Sequence, residues 1–150
     1  MRILSGFPGT GKSTFTKSHP LTIDLDSALF SKGENFVSDY IEAIENYLEK
    51  ENLCVFVSTH PALLEGLREK GHDVILVYPS YTLKEEYLAR YEGRGDWEAF
   101  LEQLDKNWLD YLKGLNGIQL TEGSEKVVLQ RYETISDVIG FDVENGFFIK

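Results

Sequence analysis

Short apolar runs alternate along this chain with longer stretches in which apolar residues recur every three to four positions. Runs at 2–5, 21–25, 53–58, 74–78 and 126–130 are bounded by Ser, Asp, His or Pro, a pattern that predicts strands buried in a sheet. The segments 12–17, 35–50, 62–70, 82–91, 96–115 and 134–139 carry helical spacing. In 35–50, Val37, Tyr40, Ile41, Ile44 and Leu48 fall opposite Asp39, Glu42, Glu45 and Glu49, an apolar face backed by a solvated one. In 96–115, Asp96 is placed to cap a helix whose stripe of Trp97, Phe100, Leu101, Leu104, Trp108, Leu112 and Leu115 reads as core packing. Residues 116–125 read as a loop in which 118–120 can pair briefly, and Asn145-Gly146 is a hairpin-type turn before Phe147-Phe148-Ile149. Strands alternating with helices predict a three-layer αβα arrangement, with a mainly parallel five-stranded sheet covered on both faces.

The loop after the first run changes the picture from a fold class to a chemistry. Gly6-Phe7-Pro8-Gly9-Thr10-Gly11-Lys12-Ser13 matches G-x-x-x-x-G-K-[ST], the phosphate-binding P-loop, in its required strand–loop–helix context. The glycines let the backbone turn tightly and bring N–H groups onto phosphate oxygens. Gly9, Thr10, Gly11, Lys12, Ser13 and Thr14 are the expected triphosphate cradle. Lys12 supplies a point charge for the β- and γ-phosphates, and the Ser13 hydroxyl is a ligand for Mg²⁺. The following helix adds its positive dipole end before His19-Pro20 stops it.

Composition adds bounds. One domain over residues 1–150 is expected, and no apolar run approaches membrane-spanning length. The single cysteine, Cys54, sits in an apolar run and reads as a buried free thiol. With no secretory signal at the start, the expected setting is the reducing cytoplasm. The net charge of −10 disfavours extensive nucleic-acid binding and opposes an anionic nucleotide, so local cations and Mg²⁺ must overcome that field.

The second run ends in Asp24-Leu25-Asp26, and strand alternation puts the two carboxylates on one side. One can support Mg²⁺ and the other can orient or deprotonate an acceptor; a solvated strand end with Asp26 capping a turn is the plain alternative. Farther on, Lys84, Arg90 and Arg94 lie in one segment, Arg94 between Gly93 and Gly95. Arginines suit the spread charge of a migrating phosphoryl group, and the glycines would let a lid over 82–96 swing across the site. The competing reading is a solvated helix with a Glu86–Arg90 pair and a glycine C-cap.

The P-loop followed by Asp24-x-Asp26 resembles the P-loop small-molecule and nucleotide kinases. The rest of the chain looks most like small bacteriophage-encoded deoxynucleoside monophosphate kinase-like proteins. The residues behind that likeness are Val57-Ser58-Thr59-His60, Val77-Tyr78-Pro79 and the segment from Leu83 to Gly95. The resemblance implies a P-loop NTPase fold, ATP and Mg²⁺ as cofactors, metal support from Ser13 and Asp24, and catalytic roles for Lys12, Asp26, Arg90 and Arg94. Its location would be the host cytoplasm if phage-encoded. The chain departs from the pattern at the end of the third strand, where many relatives carry an aspartate and this chain carries Ser58-Thr59-His60. That shifts metal support onto Asp24 and leaves His60 as either a phosphate contact or a structural residue.

The expected activity is ATP-dependent phosphorylation of a small acceptor, foremost a (deoxy)nucleoside monophosphate, although Lys32 is the one evident phosphate grip in the acidic 24–51 segment. Alternatives are a 5′-hydroxyl polynucleotide kinase, which the net charge disfavours, and a nucleotide-binding or ATPase switch. The lack of N-K-x-D argues against a GTPase, and Asp137-Val138-Ile139-Gly140 comes too late in the chain to serve as D-x-x-G.

Overall fold

The structure is a computed structural model and describes all residues from 1 to 150 except Trp97. Five strands form one parallel sheet: β1 (Ile3–Gly6), β2 (Thr22–Asp24), β3 (Cys54–Val57), β4 (Ile75–Pro79) and β5 (Glu125–Leu129), in the order β2-β3-β1-β4-β5. The helices are α1 (Lys12–Ser18), α2 (Phe36–Glu49), α3 (Pro61–Glu69), α4 (Lys84–Gly93), α5 (Glu98–Gly117) and α6 (Ile135–Val138). The chain closes with an antiparallel hairpin, β6 (Ile139–Asp142) and β7 (Gly146–Ile149).

The strand order explains the two layers. From β1 the chain steps over the place of β3 to the β2 edge, then returns through β3 and moves on to β4 and β5. Right-handed crossovers require the one outward step and the returning steps to place their helices on opposite faces. Phe15 of α1 accordingly packs with Leu4, Phe56, Ile75 and Val77 on one face. The buried residues of α2, α3, α4 and α5 pack with Ile3, Val55, Val57, Leu76 and Tyr78 on the other. Adjacent residues of each inner strand therefore serve opposite cores, which is why these strands are apolar throughout and not alternating.

The helical stripes fall largely as expected. Phe36, Tyr40, Ile41, Ile44 and Leu48 of α2 are buried. In α5, Leu104, Trp108, Leu112 and Leu115 are buried, each worth roughly 1.5–3 kcal/mol or more against exposure. Phe100 is the exception and stands 37% exposed. The expected capping of this helix by Asp96 and the place of Trp97 in its stripe fall at or on the undescribed residue; the Asp96 carboxylate itself accepts from Arg94 at 2.7 Å. The helix expected at 82–91 is a 3₁₀ turn (Tyr81–Leu83) followed by α4.

The tail differs most. A helix to residue 139 was expected, but it stops at Val138 because Ile139 turns extended, with φ −117° and ψ 130°, to open β6. Residues 143–145 form the turn between β6 and β7, with Gly146 already paired to Asp142 and not part of a two-residue Asn-Gly turn, and Phe147 packs under the sheet against Phe15 and Phe56. The Met1 amino group and carbonyl are bonded to this hairpin, which ties the two chain ends together. Residues 118–120 form no strand.

Candidate functional site

All five strands point their C-terminal ends at one edge, where parallel α/β sheets place ligands. A cleft of about 1170 Å³ opens there, lined by the 6–13 loop after β1, by Asp24 and Asp26 after β2, and by Ser58, Thr59 and His60 after β3. Arg90, Arg94 and Asp96 close a further side, and Thr134 the last. Four basic side chains (Lys12, Lys32, Arg90, Arg94) face three acidic ones, so the local balance is opposite to the chain's net −10.

The 6–13 loop is held in a defined shape. Gly9 (φ +82°) and Gly11 (φ +102°) occupy the left-handed region that disfavours side chains, and Gly11 caps α1. A Cβ on Gly9 would also sit 2.8 Å from the Tyr91 ring. Thr10 is fully buried; its amide and hydroxyl both donate to the Phe7 carbonyl, at 3.3 and 2.6 Å, and its carbonyl accepts from Ile135 N–H at 2.8 Å. Thr10 therefore clasps the loop from within, and its side chain does not line the cleft with Gly9, Gly11, Lys12, Ser13 and Thr14. Lys12 Nζ folds back to the Gly6 carbonyl at 2.9 Å. Ser13 and Thr14 are exposed in the first turn of α1.

Across the cleft the carboxylates are less committed. Asp24 ends β2 half-buried, and its Oδ1 is buried with no hydrogen-bond partner among the described residues. Burial pushes the Asp24 carboxyl up, Lys12 pulls it down, and Asp26 adds to the rise. Burial lowers the Lys12 ammonium, against the pull of Asp24 and Asp26 and with help from Arg94. Asp26 caps the 3₁₀ turn Ser27–Leu29 through an Oδ1 bond from Ala28 N–H at 2.9 Å, yet it lines the cleft as well. The turn-capping reading of Asp26 is the one its hydrogen bond displays.

The third-strand departure has its own network. Ser58 Oγ pairs with His60 Nδ1 at 2.7 Å, and Ser58 N–H donates to the Tyr40 hydroxyl at 3.0 Å, while that hydroxyl donates to the Leu25 carbonyl. Tyr40 thereby ties the ends of β2 and β3 together. His60 stands edge-on to Phe36, and burial, then Lys32 and Lys12, lower its pKa against Asp26, so it is neutral near pH 7. Lys32 lies 4.0 Å over the Phe36 ring and bonds the Ser27 carbonyl at 3.3 Å.

In this structure the 82–96 segment is bonded to the 6–13 loop. Arg90 donates to the Gly9 carbonyl at 2.6 Å and stacks over Tyr87 at 4.3 Å, and the Tyr91 hydroxyl donates to the Pro8 carbonyl at 2.6 Å. Gly95 (φ +79°) forms a Schellman cap, with Gly95 N–H to Glu92 O and Asp96 N–H to Tyr91 O, so the two glycines end a helix. Glu86 does not pair with Arg90; it takes Arg131 at 2.6 Å, and Lys84 is drawn away to Asp105 at 2.6 Å. Of the expected basic group, Arg90 and Arg94 reach the cleft and Lys84 does not. Tyr91, Tyr40 and Thr134 were missed as site-builders. The first two looked like ordinary core aromatics, and only the fold reveals where their hydroxyls point.

Ser13 and the orphaned Asp24 Oδ1 fit a divalent cation accompanied by anionic oxygens. Among the described residues there is no cluster of three or more His, Cys, Asp or Glu that would hold a metal alone. No helix is long and apolar enough to cross a membrane.

The chain matches no protein-family model and no curated protein. It is similar in structure to an uncharacterized protein from Eubacterium ventriosum ATCC 27560, with a TM-score of 0.52 and 11% identity over 90% of this chain and 92% of that one. At that identity the likeness bears on the fold alone: a mixed α/β domain with a five-stranded parallel sheet.

Proposed function

We propose that the chain is a P-loop kinase, a Mg²⁺-dependent phosphotransferase that moves the γ-phosphate of ATP to a small acceptor, foremost a nucleoside monophosphate. One observation carries the reading. A glycine-turned loop presents Lys12 at a helix start, in the same cleft as a buried Asp24 oxygen that has no hydrogen-bond partner among the described residues. A phosphate cradle and a cation-supporting carboxylate are the two parts that triphosphate chemistry requires. The cytoplasmic setting belongs to the same proposal.

In this account the loop amides and Lys12 bind the β- and γ-phosphates, Lys12 leaving the Gly6 carbonyl to do so. Ser13, with Asp24 behind it, would hold Mg²⁺, which would supply positive charge to the phosphate oxygens. Arg90 braces the loop and Arg94 turns from Asp96 toward the transferring group. Asp26 is held by its own turn and keeps one oxygen for orienting the acceptor. No carboxylate stands at Ser58, so activation of bulk water is weak and transfer to a bound acceptor is favoured over hydrolysis.

The test is labelled ATP with Mg²⁺ against ribo- and deoxymonophosphates, nucleosides, small sugars and 5′-hydroxyl oligonucleotides. Acceptor-dependent transfer is expected. ATP binding with transfer to none of them would leave a nucleotide switch in its place.

A further inference from the structure

Beside the main cleft lies a second, smaller slot of about 220 Å³, between the turn that enters α3 and the facing side of α5. Pro8, Thr59, His60 and Phe100 line both spaces, so the slot opens directly into the cleft that holds Lys12. Its inner surface is apolar: Phe7, Leu104 and Leu115 are each at most 6% exposed. Phe100 and Tyr111 flank it and remain 37% and 43% exposed, large for aromatic residues on a core-packed helix. Among the described residues no Asp, Glu, Lys or Arg lines the slot; the polar side chains there are Thr59, His60, Gln103 and the Tyr111 phenol.

That chemistry selects its occupant. A charged group would lose its water with no counter-charge to meet it. A polyol would bury several hydroxyls against Phe and Leu, each without a partner. A flat ring gains contact with the aromatic flanks and can place one or two edge groups on Gln103 and Thr59. The volume is below the ~300–1,000 Å³ usual for whole drug-sized ligands and suits one ring system.

We infer that the slot between the 59–61 turn and α5 seats an uncharged, flat heteroaromatic ring of the acceptor, with Tyr111 and Gln103 determining specificity and the group to be phosphorylated emerging past His60 into the cleft. What is then done to that group rests on the phosphotransferase reading; the seating of the ring does not. Open-chain and sugar-only acceptors are excluded by the same lining.

Thymidine and deoxyguanosine serve as uncharged ring probes, with glucose and sorbitol as polyol probes, titrated into the full chain by calorimetry and by saturation-transfer NMR. Tyr111→Ala and Gln103→Ala alter side chains that line the slot and not the main cleft. Nucleoside binding is expected in the wild type and about tenfold weaker in Tyr111→Ala, since stacking on an aromatic side chain is worth that much. Gln103→Ala should change the preference between the two nucleosides. ATP affinity, measured on the same samples, should stay unchanged in both variants. The inference is overturned if neither nucleoside binds, if Tyr111→Ala binds them equally well, or if sorbitol or glucose competes for the slot. Ring binding without any ATP binding would instead sink the phosphotransferase reading and leave the slot standing.

Discussion

The two banks of the cleft are built to different specifications. On the loop bank the carbonyls are already spoken for: Gly6 O accepts from Lys12, Phe7 O from Thr10, Pro8 O from Tyr91, Gly9 O from Arg90 and Thr10 O from Ile135 N–H. On the opposite bank Asp24 Oδ1 has no partner among the described residues, Asp26 keeps one oxygen outside its turn, and Lys32 rests on an aromatic face. The first bank is shaped in advance, so little ordering remains to be done when an anion arrives. The second keeps an unfavourable group, a buried carboxylate, in the absence of ligand. Such a group lowers stability and is retained where a cation or substrate will satisfy it.

Lys12→Ala attacks the comparison hardest. It removes the charge that the shaped bank exists to position, and phosphoryl transfer should fall by at least about 10²–10³-fold. Its Gly6 bond is one ordinary hydrogen bond, so the melting temperature should hold to within a few degrees. A radiometric transfer assay beside a thermal melt checks both halves.

Gly9→Ala tests the pre-shaping itself. The new methyl would meet Tyr91 at 2.8 Å on a backbone already at φ +82°. A loss of about 1–3 kcal/mol in urea unfolding is expected, with ATP affinity down about tenfold or more. An unchanged loop would mean that the clasp by α4 is ornamental.

Asp24→Asn probes the other bank and should separate stability from function. Its folded pKa is raised, so between its unfolded value near 3.8 and its folded value the native state holds the extra proton. Stability from this group therefore falls as pH rises through that window and stays low above it. In Asp24→Asn that downward slope should vanish, and the unliganded protein should gain on the order of 1 kcal/mol at pH 7, while Mg²⁺-dependent ATP affinity drops. Urea titrations across pH 3–8 on both proteins give the slope. Lys12 moves oppositely: its lowered pKa means that stability recovers as pH rises through its folded value toward 10.5.

The smallest effect belongs to Glu86→Gln. In the pair it breaks, Arg131 is exposed and Glu86 partly so, so the cost should stay below about 1 kcal/mol, and transfer should be unaffected.

The shaped bank was also the legible one. The loop motif is contiguous in sequence, and its strand and helix lie at its two ends, so local pattern suffices. The inner strands β1, β3 and β4 were visible because buried parallel strands are apolar throughout. What could not be read was set by partners distant in sequence. Tyr91 reaches back 83 residues to Pro8 and Arg90 81 residues to Gly9, and no spacing rule signals either bond. Nor does Gly93-Arg94-Gly95 reveal in sequence that Gly95 closes a Schellman cap on α4. The terminal hairpin was only half-seen, since β6 is short and the burial of Phe147 in β7 depends on Met1 and Phe15 at the far end of the chain.

The central claim is that the 6–13 loop receives a triphosphate. Amide chemical-shift mapping with Mg²⁺ and a non-hydrolysable ATP analogue tests it most directly. The account predicts the largest shifts at Gly9, Gly11, Lys12, Ser13 and Thr14, with Asp24 responding only when Mg²⁺ is present. Saturable shifts confined to another surface, or no shifts at millimolar analogue, would contradict it.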